Sequence, residues 1–502
     1  MLTRRDFLLR SLPSAIFLAF APSLSARIDD VVEGSVVADK DVDLDPLEMV
    51  KTLLEVGLAQ IPYLGGILSS LVGFFWPSNK ADVWGEIRKN VEVMIDQKIN
   101  DAVYSLLKSK LEGISNTLKL YLSAVATGDN INLRMQFIAT NTLMTATASE
   151  FKNSNFQWEI GPLFAIFSQL HTALLRDCVL HGKDWGWSSA TYETYVKFAG
   201  ETIAAYIAYL GGVVKREEES LKLAAPATPG RHHIDIYNYW QPFRLKQQLL
   251  FHDYILLLAA LDPIENPDPV KIIPFKDVYS RAYGTADNFD SSCKDWAGDI
   301  TTPFGKPIAN ISEINVELFN ATPRIVDVIY PSGAGPLVWD DDATSRMDRV
   351  GIIAGYLGGV EKYTVHVPPP TDGKTFNIDG AFVRAGSIPT ALYLVIDGKF
   401  LIIWDRQDLG GDSFNVAVPG RKLTTLAMWT RSSFYDRDLG CMILGFSRDP
   451  TDIPHSVKEI FYVSAIQQVS VVRPRYLPVT VSQELQSKRE RFWQNVLDTK
   501  PI

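Results

Sequence analysis

One titratable side chain, His171, stands in the run Ile160–Leu175, which holds no Asp, Glu, Lys or Arg. Arg176 and Asp177 follow directly, and about thirty residues upstream Asn141, Thr145 and Ser149 recur at i, i+4. On helices this spacing gives one partner a polar stripe and the other an apolar surface. Amide and hydroxyl groups on the stripe can line water, while Phe164, Phe167 and Leu174 can face hydrocarbon. Imidazole titrates near pH 6.5, so His171 is either a hydrogen-bonded core residue or a pH sensor. Arg176 and Asp177 can extend the apolar span by neutralising each other or by reaching an interface. This is the chemistry of crossing an apolar layer, not of making bonds. Gly-x-Ser-x-Gly, His-Glu-x-x-His, Walker A and Cys-x-x-Cys are all missing, so no enzyme is expected. His232-His233 lack Cys or Glu at ligand spacing and read as solvated loop histidines, so neither a metal nor a cofactor is expected.

Two tandem helices must carry these residues, one beginning near Asn132 and the other ending near Asp184. An uncharged stretch of 16 residues covers about 24 Å at 1.5 Å per residue, short of a ~30 Å hydrocarbon core. Upstream, Asp45-Pro46 reads as N-cap and first helical residue. From Gly57 to Trp76 no residue is charged, but Pro62, Gly65, Gly66 and Gly73 divide the run into two short buried helices. Val83–Val125 keeps a three-and-four apolar repeat too long for one globular helix, so a break is expected near Asp96–Asn100. A long helix over 189–223, capped by Ser188 or Ser189, and a last one over 234–261 complete the helical half. The loop Ala224–Gly230 between them is the best site for a proteolytic nick.

Prolines at 263, 267, 269 and 274 mark a linker over 263–282. After it short β patterns dominate, at 311–319, 324–330, 363–367, 412–418, 423–430 and 441–446. Ile396-Asp397-Gly398-Lys399 is the strongest hairpin signal, and Ile378-Asp379-Gly380-Ala381 is a second. The fold class expected is multidomain α and β: a seven-helix bundle (46–262) with a central apolar helix, then an all-β prism-like domain (283–450). A C-terminal extension (451–502) holds a short helix at 482–497, with Glu484 and Lys488 at i, i+4.

The 502 residues are 46% apolar and 21% charged, with a formal net charge of −9, which argues against general nucleic-acid binding. Cys178, Cys293 and Cys441 allow at most one disulfide. Arg4 and Arg5, followed by Phe7-Leu8 and the apolar run Ile16–Ala21, read as a twin-arginine export signal cleaved near Ser25 or Ala26. An acidic spacer over 27–45 follows. The expected location is secreted or periplasmic, with action at a host cell membrane.

The helical half resembles domain I of the Cry-type insecticidal delta-endotoxins. Leu111-Glu112-Gly113-Ile114-Ser115-Asn116 is similar to the family's third helix and Leu133-Arg134-Met135-Gln136-Phe137 to its fourth. Gln169–Asp177 with Gly182-Lys183-Asp184-Trp185-Gly186 resembles the central fifth, and 240–263 resembles the seventh. Ile61–Ser69, Phe75-Trp76-Pro77, Arg324-Ile325-Val326 and Asp379–Val383 are similar to the two-domain PirB-type toxin subunit. The resemblance implies a pore-forming toxin whose hairpin of about residues 132–181 inserts after the β domain binds a receptor, protein or glycan. It also implies a homo-oligomer on the target membrane and a small PirA-like partner protein. The loop Arg431–Asp438 resembles the sugar-binding loop of jacalin-like lectins without its Gly-x-x-x-Asp spacing. Arg431, Tyr435, Asp436 and Asp438 are its candidate contacts, beside loops 340–348 and 368–373. The rival reading is a non-lytic, lectin-like surface-binding protein.

Overall fold

A computed structural model describes residues 45–225, 235–285, 309–319, 322–331, 349–350, 360–371, 373–406, 409–432 and 437–449. The export signal with Arg4 and Arg5, most of the acidic spacer, His232-His233, Cys293, loop 340–348, Tyr435, Asp436 and the 451–502 extension lie outside those residues. The described residues form two compact units, one within 45–223 and 246–275 and one within 224–245 and 276–449.

The first unit is helical. Its elements are α1 (Pro46–Leu58), α2 (Gly66–Phe75), α3 (Val83–Ile95), α4 (Asp101–Thr127), α5 (Asn130–Ala148), α6 (Gln157–His181) and α7 (Ser189–Lys222). A last rod, α8 (Asp235–Gln247), passes through a π turn (Gln248–His252) into α9 (Asp253–Leu261), which closes the unit. With α9 the unit has eight helices among the described residues, one more than the seven expected. Local chemistry sets the boundaries. The Asp45 carboxylate accepts from the Leu47 N–H at 2.7 Å, and Asn100 caps α4 through the Ala102 and Val103 N–H groups. Asp96, left-handed at φ 56°, ends α3 where a break was expected. Ser188 caps α7 through the Thr191 N–H, and α5 is capped by Asp129.

α6 is the axis. Every residue from Ile160 to Cys178 is buried, and α2, α3, α5, α7 and α9 all pack on it. Gly161 is required there: a Cβ would stand 2.6 Å from the Phe251 ring, which the π turn lays against α6 and stacks on Trp158. A helix apolar all round is stable in water only when so enclosed.

The second unit is built on twelve strands among the described residues: β1 (Val278–Tyr279), β2 (Tyr283–Gly284), β3 (Glu313–Phe319), β4 (Thr322–Ile329), β5 (Arg349–Val350), β6 (Val360–His366), β7 (Ile378–Ala385), β8 (Pro389–Ile396), β9 (Lys399–Asp405), β10 (Asp412–Ala417), β11 (Lys422–Ser432) and β12 (Arg437–Ser447). All pairings are antiparallel. Two sheets share one Greek-key order, β6-β3-β4-β5 and β10-β7-β8-β9. The third is the β11–β12 hairpin with β1 and β2 both on β12. Each sheet touches the other two, which gives the three-sided prism. Tyr237 in α8 donates to the Ser280 carbonyl at 2.8 Å, which ties the helix into this unit.

The Asp397-Gly398 hairpin forms as expected, with both residues at positive φ (49° and 71°), the geometry of a type I′ turn. The second expected hairpin does not form. Asp379-Gly380 lies inside β7 at a register shift, where Gly380 passes so close to β10 that a Cβ would meet the Val416 carbonyl at 2.4 Å. The same dipeptide that signals a turn also serves a bulge.

Candidate functional site

Two helices place one side chain each against His171 of α6. Asn141 from α5 lies 2.9 Å from Nε2, and Tyr206 from α7 lies 2.6 Å from Nδ1. The Asn141 oxygen can only accept, so Nε2 carries the proton and Nδ1 accepts from the tyrosine hydroxyl. His171 is fully buried, and that burial pushes its pKa down to about 3. It is therefore a neutral crosslink between α5, α6 and α7 across physiological pH. Tyr206 occupies the apolar stripe Ala199, Ile203, Tyr206, Leu210, Val213 of α7. A tyrosine on a buried stripe needs a hydroxyl partner, which is the signal that could have found it.

In the folded bundle the neighbouring pair Arg176 and Asp177 hydrogen-bond to separate partners. The Arg176 Nη1 donates to the carbonyls of Asn266 (2.7 Å) and Leu261 (3.2 Å). Asp177 accepts from the Gly65 N–H (3.0 Å) and the Tyr121 hydroxyl (3.1 Å). Burial raises its pKa to about 7, against the lowering effect of those two hydrogen bonds. The stripe of α5 also divides. Asn141 is buried on His171, whereas Thr145 and Ser149 are exposed. Phe164, Phe167 and Leu174 all face protein, each 0% exposed. At the turn of the hairpin, Lys152 stands over the rings of Phe164, Tyr206 and Tyr209 at 5.3–5.4 Å, and burial lowers its pKa. α7 therefore holds the α5–α6 pair at two points.

Replacing His171 with glutamine is expected to lower stability by about 1–3 kcal/mol at neutral pH, because Asn141 and Tyr206 lose well-placed partners. The sign of the pH effect follows from the depressed pKa. Between about pH 3 and 6.5 the unfolded chain binds a proton that the folded chain does not. Wild-type stability from this residue is complete above about 6.5 and falls by about 1.4 kcal/mol per pH unit below it. Asp177 acts oppositely, since its raised pKa makes the folded chain the proton binder from about 3.8 to about 7. Urea denaturation of wild type and H171Q across this range should show the gap between them shrinking as pH falls. A gap independent of pH would mean that His171 titrates in the folded state.

The two ends of α1 and α9 meet at a second polar cluster that the sequence did not reveal. Lys51, 0% exposed, pairs with Glu48 at 2.7 Å and Asp253 at 2.9 Å. In the β unit, Arg431 pairs with Asp438 in the backbone register of β11 and β12, so the suspected sugar loop is their connection. Among the described residues no group of three or more His, Cys, Asp or Glu is placed to hold a metal ion.

Known proteins match in the same order. Residues 53–262 match the family model for the delta endotoxin N-terminal domain. The pesticidal crystal protein Cry8Ba of Bacillus thuringiensis serovar kumamotoensis is 28% identical over 262 residues, half of this chain but 22% of that protein. The chain thus spans about a fifth of that relative's length. Among solved structures, the insecticidal crystal protein Cry7Ca1 of Bacillus thuringiensis superposes with a TM-score of 0.56 at 15% identity, over 82% of this chain and 75% of that one. PirB superposes with a TM-score of 0.58 at 16% identity, over 80% of this chain and 94% of that one. These likenesses cover both the bundle and the sheets. Residues 53–262 are thus similar to a delta endotoxin N-terminal domain, and the described fold is shared with Cry-type toxins and PirB.

Proposed function

We propose that this chain is a secreted, insecticidal pore-forming toxin in which the β unit binds a target-cell receptor and the α5–α6 hairpin, about residues 132–181, enters the membrane. The observation that carries the reading is α6. Among the described residues it is the one helix long and apolar enough to cross a bilayer, and it is stored inside a sheath of other helices. Its 25 residues reach about 37 Å, against a ~30 Å hydrocarbon core, so the uncharged run and its flanks together have the length. Two of its polar atoms, Gln169 Oε1 and Thr172 Oγ1, are buried without a hydrogen-bond partner. Such groups destabilise the stored form and gain water in a lumen. α5 supports the same reading, because Arg134 is its only charged residue and its exposed face carries Thr142 and Thr145, followed by the exposed C-cap Ser149. A small PirA-like partner, a homo-oligomer at the membrane and twin-arginine export complete the proposal.

The test is dye release from lipid vesicles at acidic, neutral and alkaline pH, with and without protease treatment and a candidate small partner. Release is expected under at least one of these conditions. No release under any of them would leave the non-lytic, surface-binding reading in its place.

A further inference from the structure

β7, β8 and β9 present one face to solvent, and three aromatic rings stand on it. Phe382 and Tyr393 have centroids 5.3 Å apart, Tyr393 and Phe400 5.9 Å, and Phe382 and Phe400 6.4 Å. The register causes this grouping: Phe382 is opposite Tyr393, which is opposite Ile402, while Phe400 is opposite Val395 on the same side. Phe400 and Ile402 are 51% and 56% exposed, on a strand at the edge of its sheet. A polar network borders the rings. Arg384 donates to Asp405, reaching over Ala391, which separates them in the register, and the Tyr393 hydroxyl donates to the other Asp405 oxygen. Arg384 also donates to the Arg406 carbonyl at 3.1 Å.

We infer that this sheet face binds a neutral carbohydrate. The apolar face of a pyranose ring lies on Phe400, with the Phe382 ring nearly perpendicular at its flank, and its hydroxyls meet Tyr393, Asp405 and Arg384. Three features select that ligand. A half-exposed Phe400 ring beside the partly exposed rings of Phe382 and Tyr393 matches the C–H face of a sugar, and a hydroxyl–carboxylate–guanidinium rim matches its edge. The charge of Arg384 is cancelled by Asp405, so the face has no excess of positive charge to draw a phosphate or a sialic acid. Size favours a small ligand: the exposed parts of these side chains amount to roughly 200–400 Å², below the ~800 Å² per partner of a stable protein interface. The inference names the ligand class for the receptor-binding role proposed above and rests on that role. It is independent of pore formation.

Binding of the full chain to immobilised neutral oligosaccharides (galactose-, N-acetylgalactosamine-, glucose- and mannose-terminated) is compared with binding to sialylated and sulfated ones. At least one neutral class is expected to bind, with affinity reduced about tenfold or more in F400A. F400L, which keeps the edge strand apolar but removes the ring, separates stacking from folding. Y393F should weaken binding with an unchanged circular dichroism spectrum. Binding to acidic glycans alone, no glycan binding, or equal binding by wild type and F400L would each overturn the inference. So would a dimer in sedimentation that F400L dissociates, because the face would then pair copies of the chain. No membrane enters the measurement, so its failure is distinct from a failure of the leakage test.

Discussion

Replacing Lys51 with methionine is expected to cost the helical unit about 3–5 kcal/mol at neutral pH, the range for removing one partner of a buried ion pair. Both carboxylates that Lys51 meets are nearly as buried as it is, at 4% for Glu48 and 1% for Asp253. Their other contacts fix them in place. Gln248 donates to the second Asp253 oxygen at 2.8 Å, and Tyr254, whose ring lies 5.4 Å from the ammonium, donates to the Leu47 carbonyl at 2.9 Å. K51M therefore removes the cation between two buried acids at a site where burial and Glu48 already raise the pKa of Asp45 to about 6. The cost is in two buried acids that lose their counter-charge, not in the lost lysine. K51M combined with Glu48→Gln and Asp253→Asn should consequently be much less destabilised than K51M alone. Urea denaturation of wild type, K51M and the combined variant checks this. A cost below about 1 kcal/mol for K51M would mean that the site is hydrated, as at an exposed pair.

This cluster also marks where the sequence stops being legible. In PLEMVKTLLEVGL the lysine reads as the polar face of an amphipathic helix, and its partner lies 202 residues away. Periodicity says that a face exists, not what closes over it. The same limit applies to Asn141. α5 has no charge besides Arg134 to mark its wet side, so a hydroxyl and amide stripe could be assigned to water when its first member is tied to His171. What was legible is local: the caps at Asp45, Asn100 and Ser188, the left-handed break at Asp96 and the Asp397-Gly398 turn. All of these depend on residues within one turn of the chain. In the β unit, KFLIIWD reads as one arm of a hairpin without marking its wet side, and Phe400 and Ile402 are exposed on β9, which among the described residues has a neighbour on one side only. Strand order is a long-range property, and the two-residue strands β1 and β2 leave no pattern at all.

The second large effect concerns movement. A disulfide formed by Thr117→Cys and Thr140→Cys is expected to reduce vesicle leakage to background while oxidised and to restore it on reduction. The Thr140 hydroxyl donates to the Thr117 carbonyl at 3.2 Å, which brings α4 and α5 near the separation a disulfide needs, with Cα atoms about 4.4–6.8 Å apart. Cys178 should not compete, because it is buried and burial pushes its thiol pKa up, away from the reactive thiolate. The crosslink leaves α6, His171 and Tyr206 untouched, so the stored form is preserved and only the departure of α5 from the bundle is blocked. If the hairpin leaves as a unit, blocking α5 also retains α6, since Asn141 and the Lys152 cage hold the two together against α7. Each single cysteine variant must leak normally under the same oxidation. Leakage that persists with the 117–140 bond verified by peptide mapping would show that α5 stays with α4, and that α6 leaves with α7 instead.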